Sequence, residues 1–180
     1  MTNTPRTLVV LNPRAAAGRA QGQWPLVEQR LREAIGAFDL ERTEYPGHAT
    51  ELVRRALKQG AERIVSVGGD GTHHETVNGF FEGSTAINPD AILAPLPMGT
   101  GSDLARTLGL PRGADAVSWL TQGATMRADV GRVTYLAHDG RHHCAHFLNV
   151  ADFGAGGAVA EHVNRGSKQL GGFASFFLAV

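Results

Sequence analysis

The chain holds one cysteine, Cys144, in 180 residues, so no internal disulfide can form and a reducing compartment suits it. Charge of either sign is not in surplus: 17 Lys and Arg stand against 17 Asp and Glu. Without a basic excess there is no electrostatic ground for binding nucleic acid, and no such partner is expected. Long hydrophobic runs are missing too. The polar start Met1-Thr2-Asn3-Thr4-Pro5-Arg6-Thr7 leads only into Leu8-Val9-Val10-Leu11, too short for a signal peptide. Nothing approaches the roughly 20 apolar residues of a membrane span. A cytoplasmic location is the expectation, with peripheral contact at a membrane left open. No Walker A loop occurs, and Gly154-x-Gly156 lacks the third glycine of a dinucleotide fingerprint. A P-loop NTPase or an ordinary Rossmann dehydrogenase is therefore unsupported.

What the chain does have is a globular composition, 42% hydrophobic and 19% charged, and 23 glycines. Thr7 to Leu11 is a continuous apolar run, as in a parallel strand buried on both faces. Trp24, Val27, Leu31, Ala34 and Ile35 recur at helical spacing. Phe38 to Thr43 predicts a second strand. A helix after Gly47 carries Ala49, Leu52, Val53, Ala56 and Leu57 on one face and stops at Gly60. Arg63 to Val67 predicts a third strand, followed by a helix with Val77, Phe80 and Phe81 inward, then a fourth strand at Ala91-Ile92-Leu93-Ala94. Short helices are expected over Leu104–Leu108 and Ala114–Leu120. The alternation predicts an α/β fold, a parallel-sheet three-layer domain over residues 1–128.

The pattern changes near Asp129. Val130 to Leu136, His138-Asp139-Gly140 and His143 to Val150 read as a β-hairpin. A helical segment with Leu170, Phe173, Ala174, Phe177 and Leu178 follows Gly154-Ala155-Gly156-Gly157. A lone hairpin is marginal, so residues 129–180 are expected to be the incomplete beginning of a β-rich second domain, in a fragment of something longer. The apolar tail from Gly171 to Val180 is expected in a core; left exposed, it would promote association of copies.

Two stretches carry the chemistry. Gly68-Gly69-Asp70-Gly71-Thr72 follows the run Ile64-Val65-Ser66-Val67 and precedes the helix-like His73-His74-Glu75-Thr76-Val77-Asn78. Pro97-Met98-Gly99-Thr100-Gly101-Ser102-Asp103 follows the fourth strand. Glycines let backbone amides approach an anion, and a helix start adds its positive end. Both loops fall at the carboxyl edge of the sheet, where open α/β sheets bind ligands. The site is therefore read as one for a nucleotide phosphate. Asp70 repels phosphate; it serves by holding Mg²⁺, directly or through water, or by bonding to loop amides and a hydroxyl. Thr72 serves as phosphate donor or helix cap. Glu75 and Asn78 are expected to brace the loop from behind, and Asp103 to bond loop amides. Arg14 and Arg19 are candidates to meet phosphates, with a solvated loop equally open. The His73-His74-Glu75 and His142-His143 clusters lack the His-x-x-x-His spacing of a zinc helix, and exposed histidines are expected.

The chain resembles the catalytic domain of the diacylglycerol kinase family, which includes bacterial lipid kinases, sphingosine kinases and ceramide kinases. The resemblance rests on Asn12-Pro13 with Gly18, Thr43 before Gly47, Gly68 to Thr72 with Glu75 and Asn78-Gly79, Leu96 to Arg106, Asp129-Val130-Gly131, and Phe147 to Ala151 with Gly154. The resemblance implies ATP and Mg²⁺ in a cleft between two domains. It places Asn12, Pro13, Arg14, Thr43, the loop Gly68, Gly69, Asp70, Gly71, Thr72, His73, His74 with Glu75, and Gly99, Thr100, Gly101 and Asp103 around the nucleotide. The family has Asn where this chain has His74, and Asn where it has Ser102. The catalytic base is expected beyond Val180, so this stretch alone should have little activity. The implied function is ATP-dependent phosphorylation of a lipid hydroxyl, diacylglycerol first, at a membrane surface. An NAD kinase with Asp70 as base, or a nucleotide-binding module without catalysis, are the alternatives.

Overall fold

The computed structural model describes residues 5–100, 102–121, 124–137 and 139–151. Strands β1 (Thr7–Leu11), β2 (Asp39–Arg42), β3 (Arg63–Gly68) and β6 (Ile92–Pro97) form one parallel sheet in the order β2-β1-β3-β6. The register runs Leu11 beside Val67 and Val67 beside Leu96, so the carboxyl ends of β1, β3 and β6 finish level.

Side chains alternate across each strand, and both faces are covered. Val9, Leu11, Val65, Val67, Ala94 and Leu96 face helix α1 (Arg19–Ile35) through Trp24, Val27 and Leu31, together with the short α5 (Val117–Thr121). Leu8, Val10 and Ile64 face helix α2 (His48–Lys58) through Ala49, Leu52, Val53 and Leu57. This accounts for the unbroken apolar run of β1: every position in it is buried. Gly60 ends α2 with φ +89, a left-handed turn that costs glycine nothing.

Helix α3 (Asp70–Gly79) begins inside the glycine motif rather than after it. Val77 is buried, but Phe80 is already the cap, and Phe81 lies in the small hairpin β4 (Phe81–Glu82) and β5 (Thr85–Ala86), which the sequence reading lacked. Gly79 fixes that end: a Cβ there would lie 2.6 Å from the Val53 Cβ, so α2 and α3 touch at this point. The strand expected at Ala91–Ala94 runs on to Pro97, and helix α4 (Asp103–Leu108) follows the second glycine loop. The Asp129 hairpin is present as antiparallel β7 (Gly131–Leu136) and β8 (His142–Phe147). Gly140 turns it at φ +74. Gly101 and the helical segment and tail expected after Gly157 lie outside the described residues.

Candidate functional site

The sheet ladder continues past the strand ends and brings three loops side by side. The amide of Asn12 donates to the Val67 carbonyl at 2.9 Å, that of Thr43 to Leu11 at 2.9 Å, and that of Met98 to Gly68 at 2.7 Å. Asn12 then spans the gap: its Nδ2 donates to Thr72 Oγ1 at 2.9 Å while its Oδ1 accepts the Arg14 amide at 2.9 Å. Thr72 therefore receives a hydrogen bond through its oxygen and keeps its own hydroxyl proton for another partner. It does not cap α3.

The glycines have two separate tasks. A Cβ on Gly68 would lie 2.4 Å from Thr72 Oγ1, and one on Gly99 would lie 2.5 Å from the Gly69 Cα. The two glycine loops thus pack backbone on backbone, which no side chain permits. At Gly71, by contrast, an added Cβ meets nothing within 4 Å. The first-turn amides of α3 have no intrahelical acceptor, and Gly71 in that turn is exposed.

Asp70 closes the arrangement. Its Oδ2 accepts the Asp103 amide and its Oδ1 the Leu104 amide, each at 3.1 Å, so the carboxylate of the first loop caps the helix that leaves the second. Among the described residues the Asp103 side chain bonds no loop amide; its Oδ1 accepts from Arg106 Nη1 at 2.7 Å. Ser102 sits before α4 at φ +64, 1% exposed. The left-handed conformation at this position is one that Asn adopts more readily than Ser.

Glu75 and Asn78 do not brace the loop. Glu75 Oε2 accepts the Ala49 amide at the start of α2, and its carbonyl accepts the Thr50 hydroxyl. Asn78 clasps β8: Nδ2 donates to the His146 carbonyl at 2.9 Å and Oδ1 accepts the His146 amide at 2.8 Å. Phe81 stacks on the His146 ring at 4.1 Å. Glu75 and Asn78 thus tie α3 to neighbouring elements, one to α2 and the other to β8.

His73 is buried, 2% exposed, against the expectation of a surface histidine. Its Nδ1 lies 2.9 Å from Ser66 Oγ on β3, Ser66 Oγ lies 3.0 Å from Thr76 Oγ1, and Thr76 donates to the Thr72 carbonyl at 2.8 Å. Burial, partly offset by the Asp70 charge, lowers its pKa from 6.5 to about 4, so the ring is neutral at physiological pH. His74 is exposed beside it, with its carbonyl held by Asn78 Nδ2. Arg14 and Arg19 are exposed; Arg19 Nε donates to the Ala16 carbonyl. Thr100 is exposed and Thr43 half-buried.

A cleft of about 320 Å³ opens along α3. Asp70, Gly71, His73, His74 and Val77 form one wall, Asp103 and Leu104 a second, and Phe147 to Val150 a third. That third wall is anchored through Thr107, whose Oγ1 donates to Asn149 Oδ1 at 3.2 Å. Ser66, Thr76 and Asn149 were not among the sequence candidates. Asn149 carried a signal, because it stands in a motif already quoted; Ser66, a hydroxyl in an otherwise apolar strand, carried another.

Residues 6–133 match the model of the diacylglycerol kinase catalytic domain. The chain belongs to that family. A diacylglycerol kinase of Staphylococcus carnosus is 28% identical over 173 residues, which cover 96% of this chain and 51% of that protein. Human sphingosine kinase 1 is 39% identical over 117 residues, 63% of this chain and 30% of that one. A crystal structure of a diacylglycerol kinase from Bacillus anthracis superposes with a TM-score of 0.63 at 28% identity, covering 79% of this chain and 46% of that one. The chain thus spans about half the length of the bacterial diacylglycerol kinases it matches. No described helix is long and apolar enough to cross a membrane.

Proposed function

We propose that this chain supplies the ATP-binding half of a kinase that transfers the γ-phosphate of ATP to a lipid hydroxyl, with diacylglycerol as the first acceptor. The observation that carries the reading is the start of α3 at the carboxyl edge of the sheet, where Gly71 is exposed with no side chain in the way and Thr72 accepts from Asn12, keeping its hydroxyl proton. An anionic phosphate group is the natural complement of such a helix start. In this reading Asn12, Pro13, Thr43, residues 68–74 and Gly99 to Asp103 surround the nucleotide, and Arg14 lies near the phosphates. Glu75 is left out, because its carboxylate serves α2.

Among the described residues no three His, Cys, Asp or Glu side chains form a metal cage. Both Asp70 oxygens already accept amides. That donor set suits Mg²⁺ carried by the triphosphate and its own waters, with Asp70 reaching it through a water. Bound Mg²⁺ supplies charge neutralisation; the chain supplies position, which is most of what phosphoryl transfer asks of a protein. Residues from 129 onward begin the β-rich domain that completes the cleft, and the acceptor is met peripherally at a membrane surface.

The test is calorimetric titration with Mg-ATP, followed by an ADP-release assay offering diacylglycerol and NAD side by side. Saturable ATP binding and turnover with the lipid are expected from the protein with its complete cleft. No ATP binding sinks the reading, and turnover with NAD alone replaces it.

A further inference from the structure

The loop after β2 builds an aromatic surface from four residues. Tyr45-Pro46-Gly47-His48 is a turn in which the His48 amide donates to the Tyr45 carbonyl at 3.2 Å. Pro46 in its second place and Gly47 in its third, with φ +87 and ψ −14, mark a type II turn. Such a turn brings its first and last residues side by side. Here their rings stack, with centroids 4.3 Å apart and planes 8° from parallel. Both rings are also held at the edge: the Tyr45 hydroxyl donates to Glu51 Oε2 at 2.8 Å, and His48 Nδ1 accepts the Glu44 amide at 3.2 Å. Tyr45 nevertheless stays 46% exposed and belongs to neither apolar layer of the core. With one face on His48, the ring turns its second face to solvent. Core packing therefore does not account for an aromatic side chain fixed in this way.

This surface stands at the same edge of the sheet as the glycine loops. Thr43, two residues before Tyr45, donates its amide to the Leu11 carbonyl, and Asn12, the residue after Leu11, reaches Thr72. Strand β2 is separated from β3 by β1 alone, so the loops leaving β2 and β3 start about 10 Å apart, two strand spacings. A ribose and its first phosphate bridge such a gap. Charge sets the direction: Glu44 and Glu51 beside the rings repel phosphate, whereas the start of α3 attracts it. A base at Tyr45 and phosphates at Gly71 satisfy both.

We infer that Tyr45, backed by His48, is the surface on which the base of the nucleotide stacks, a specificity-determining contact that favours purines over pyrimidines. The inference rests on the nucleotide-binding reading above and adds to it the residue that meets the base. Stacking reads the area of a ring and not its hydrogen-bonding edge. Tyr45 therefore holds ATP and GTP alike, and both more firmly than UTP. His48 is a positioning residue, since it acts through the Tyr45 ring.

Calorimetric titration of the protein with Mg-ATP, Mg-UTP and Mg-tripolyphosphate tests it. Tyr45→Ala should weaken Mg-ATP about tenfold, the scale of one base stacked on an aromatic ring. It should weaken Mg-UTP less, so that the preference for ATP over UTP shrinks. Mg-tripolyphosphate, which has no base, should bind the variant like the parent, and that binding shows the variant to be folded. Tyr45→Phe, which keeps the ring and loses the bond to Glu51, should retain most of the ATP affinity. In NMR spectra of the parent, Overhauser contacts should join the Tyr45 ring protons to H2 or H8 of the purine. Equal Mg-ATP affinity in the parent and Tyr45→Ala overturns the inference. So do equal losses for ATP and tripolyphosphate, and so does a Tyr45→Phe as weak as Tyr45→Ala. A parent that binds tripolyphosphate as tightly as ATP overturns it too, while the phosphate site stands. Failure of the parent to bind either ligand removes the nucleotide reading as well.

Discussion

Replacing Gly99 and Gly71 separately by alanine distinguishes a glycine needed for packing from one needed by a ligand. At Gly99 the new Cβ falls 2.5 Å from the Gly69 Cα and 3.4 Å from its nitrogen, backbone atoms with no soft torsion to absorb the overlap. The loops must part by about an ångström, and overpacking of this kind costs about 1–3 kcal/mol. At Gly71 the Cβ meets nothing within 4 Å, and the residue lies in the first turn of α3. There alanine should stabilise by about 0.5–1 kcal/mol, because glycine loses more backbone freedom in a helix. In urea unfolding, with a slope of about 2 kcal/mol per molar, the midpoint of Gly99→Ala should fall by about 0.5–1.5 M and that of Gly71→Ala should rise by about 0.3 M. ATP affinity should move the other way at Gly71. A methyl group in front of the amides displaces a phosphate from hydrogen bonds worth about 2 kcal/mol, about 30-fold in Kd. If Gly71→Ala binds Mg-ATP like the parent protein, the open helix start is not the phosphate site. If Gly99→Ala unfolds at the parent midpoint, the loop-on-loop packing is wrong.

Three other outcomes are expected. Because His73 is held below its unfolded pKa of 6.5 at about 4, the unfolded chain binds the extra proton in that window. Stability should therefore drop as pH falls from 6.5 to 4, by about 3 kcal/mol. Urea midpoints of His73→Met should lack this part of the slope, and parallel pH curves would refute it. Asn78→Ala removes both bonds to His146, so exchange protection of the His146 amide should fall by about 2 kcal/mol while β3 amides keep theirs; unchanged protection rules the clasp out. Ser102→Gly relieves the left-handed serine and should raise Tm by about 1–2 °C in a thermal melt, against no change if the strain is absent.

Local chemistry made much of this protein legible. Strand β1 could be read to the residue because both of its faces are buried and its apolar run is continuous. Helix α2 could be read because Ala49, Leu52, Val53 and Leu57 share one face and Gly60 stops it. The two glycine loops were recognisable, and so was their place at the carboxyl edge, since each follows a strand. The short hairpin of Phe81–Glu82 with Thr85–Ala86 was not recognisable, because two-residue strands have no periodicity to detect.

Partners across the fold were a different matter. Asp70 finds its amides 33 and 34 residues away, and Asn78 finds His146 68 residues away. Side-chain type declares what a group can donate or accept, and spacing declares which helix face it takes. Neither says which distant backbone will be waiting there. For that reason Glu75 and Asn78 looked like supports of their own loop and turned out to hold α2 and β8. His73 looked like a solvated ring, because histidine is equally at home outside; only Ser66, brought underneath it by the packing of α3 on β3, makes it a buried one. Elements come from short-range pattern and solvent exclusion, whereas the company each polar atom keeps is settled when those elements close on one another.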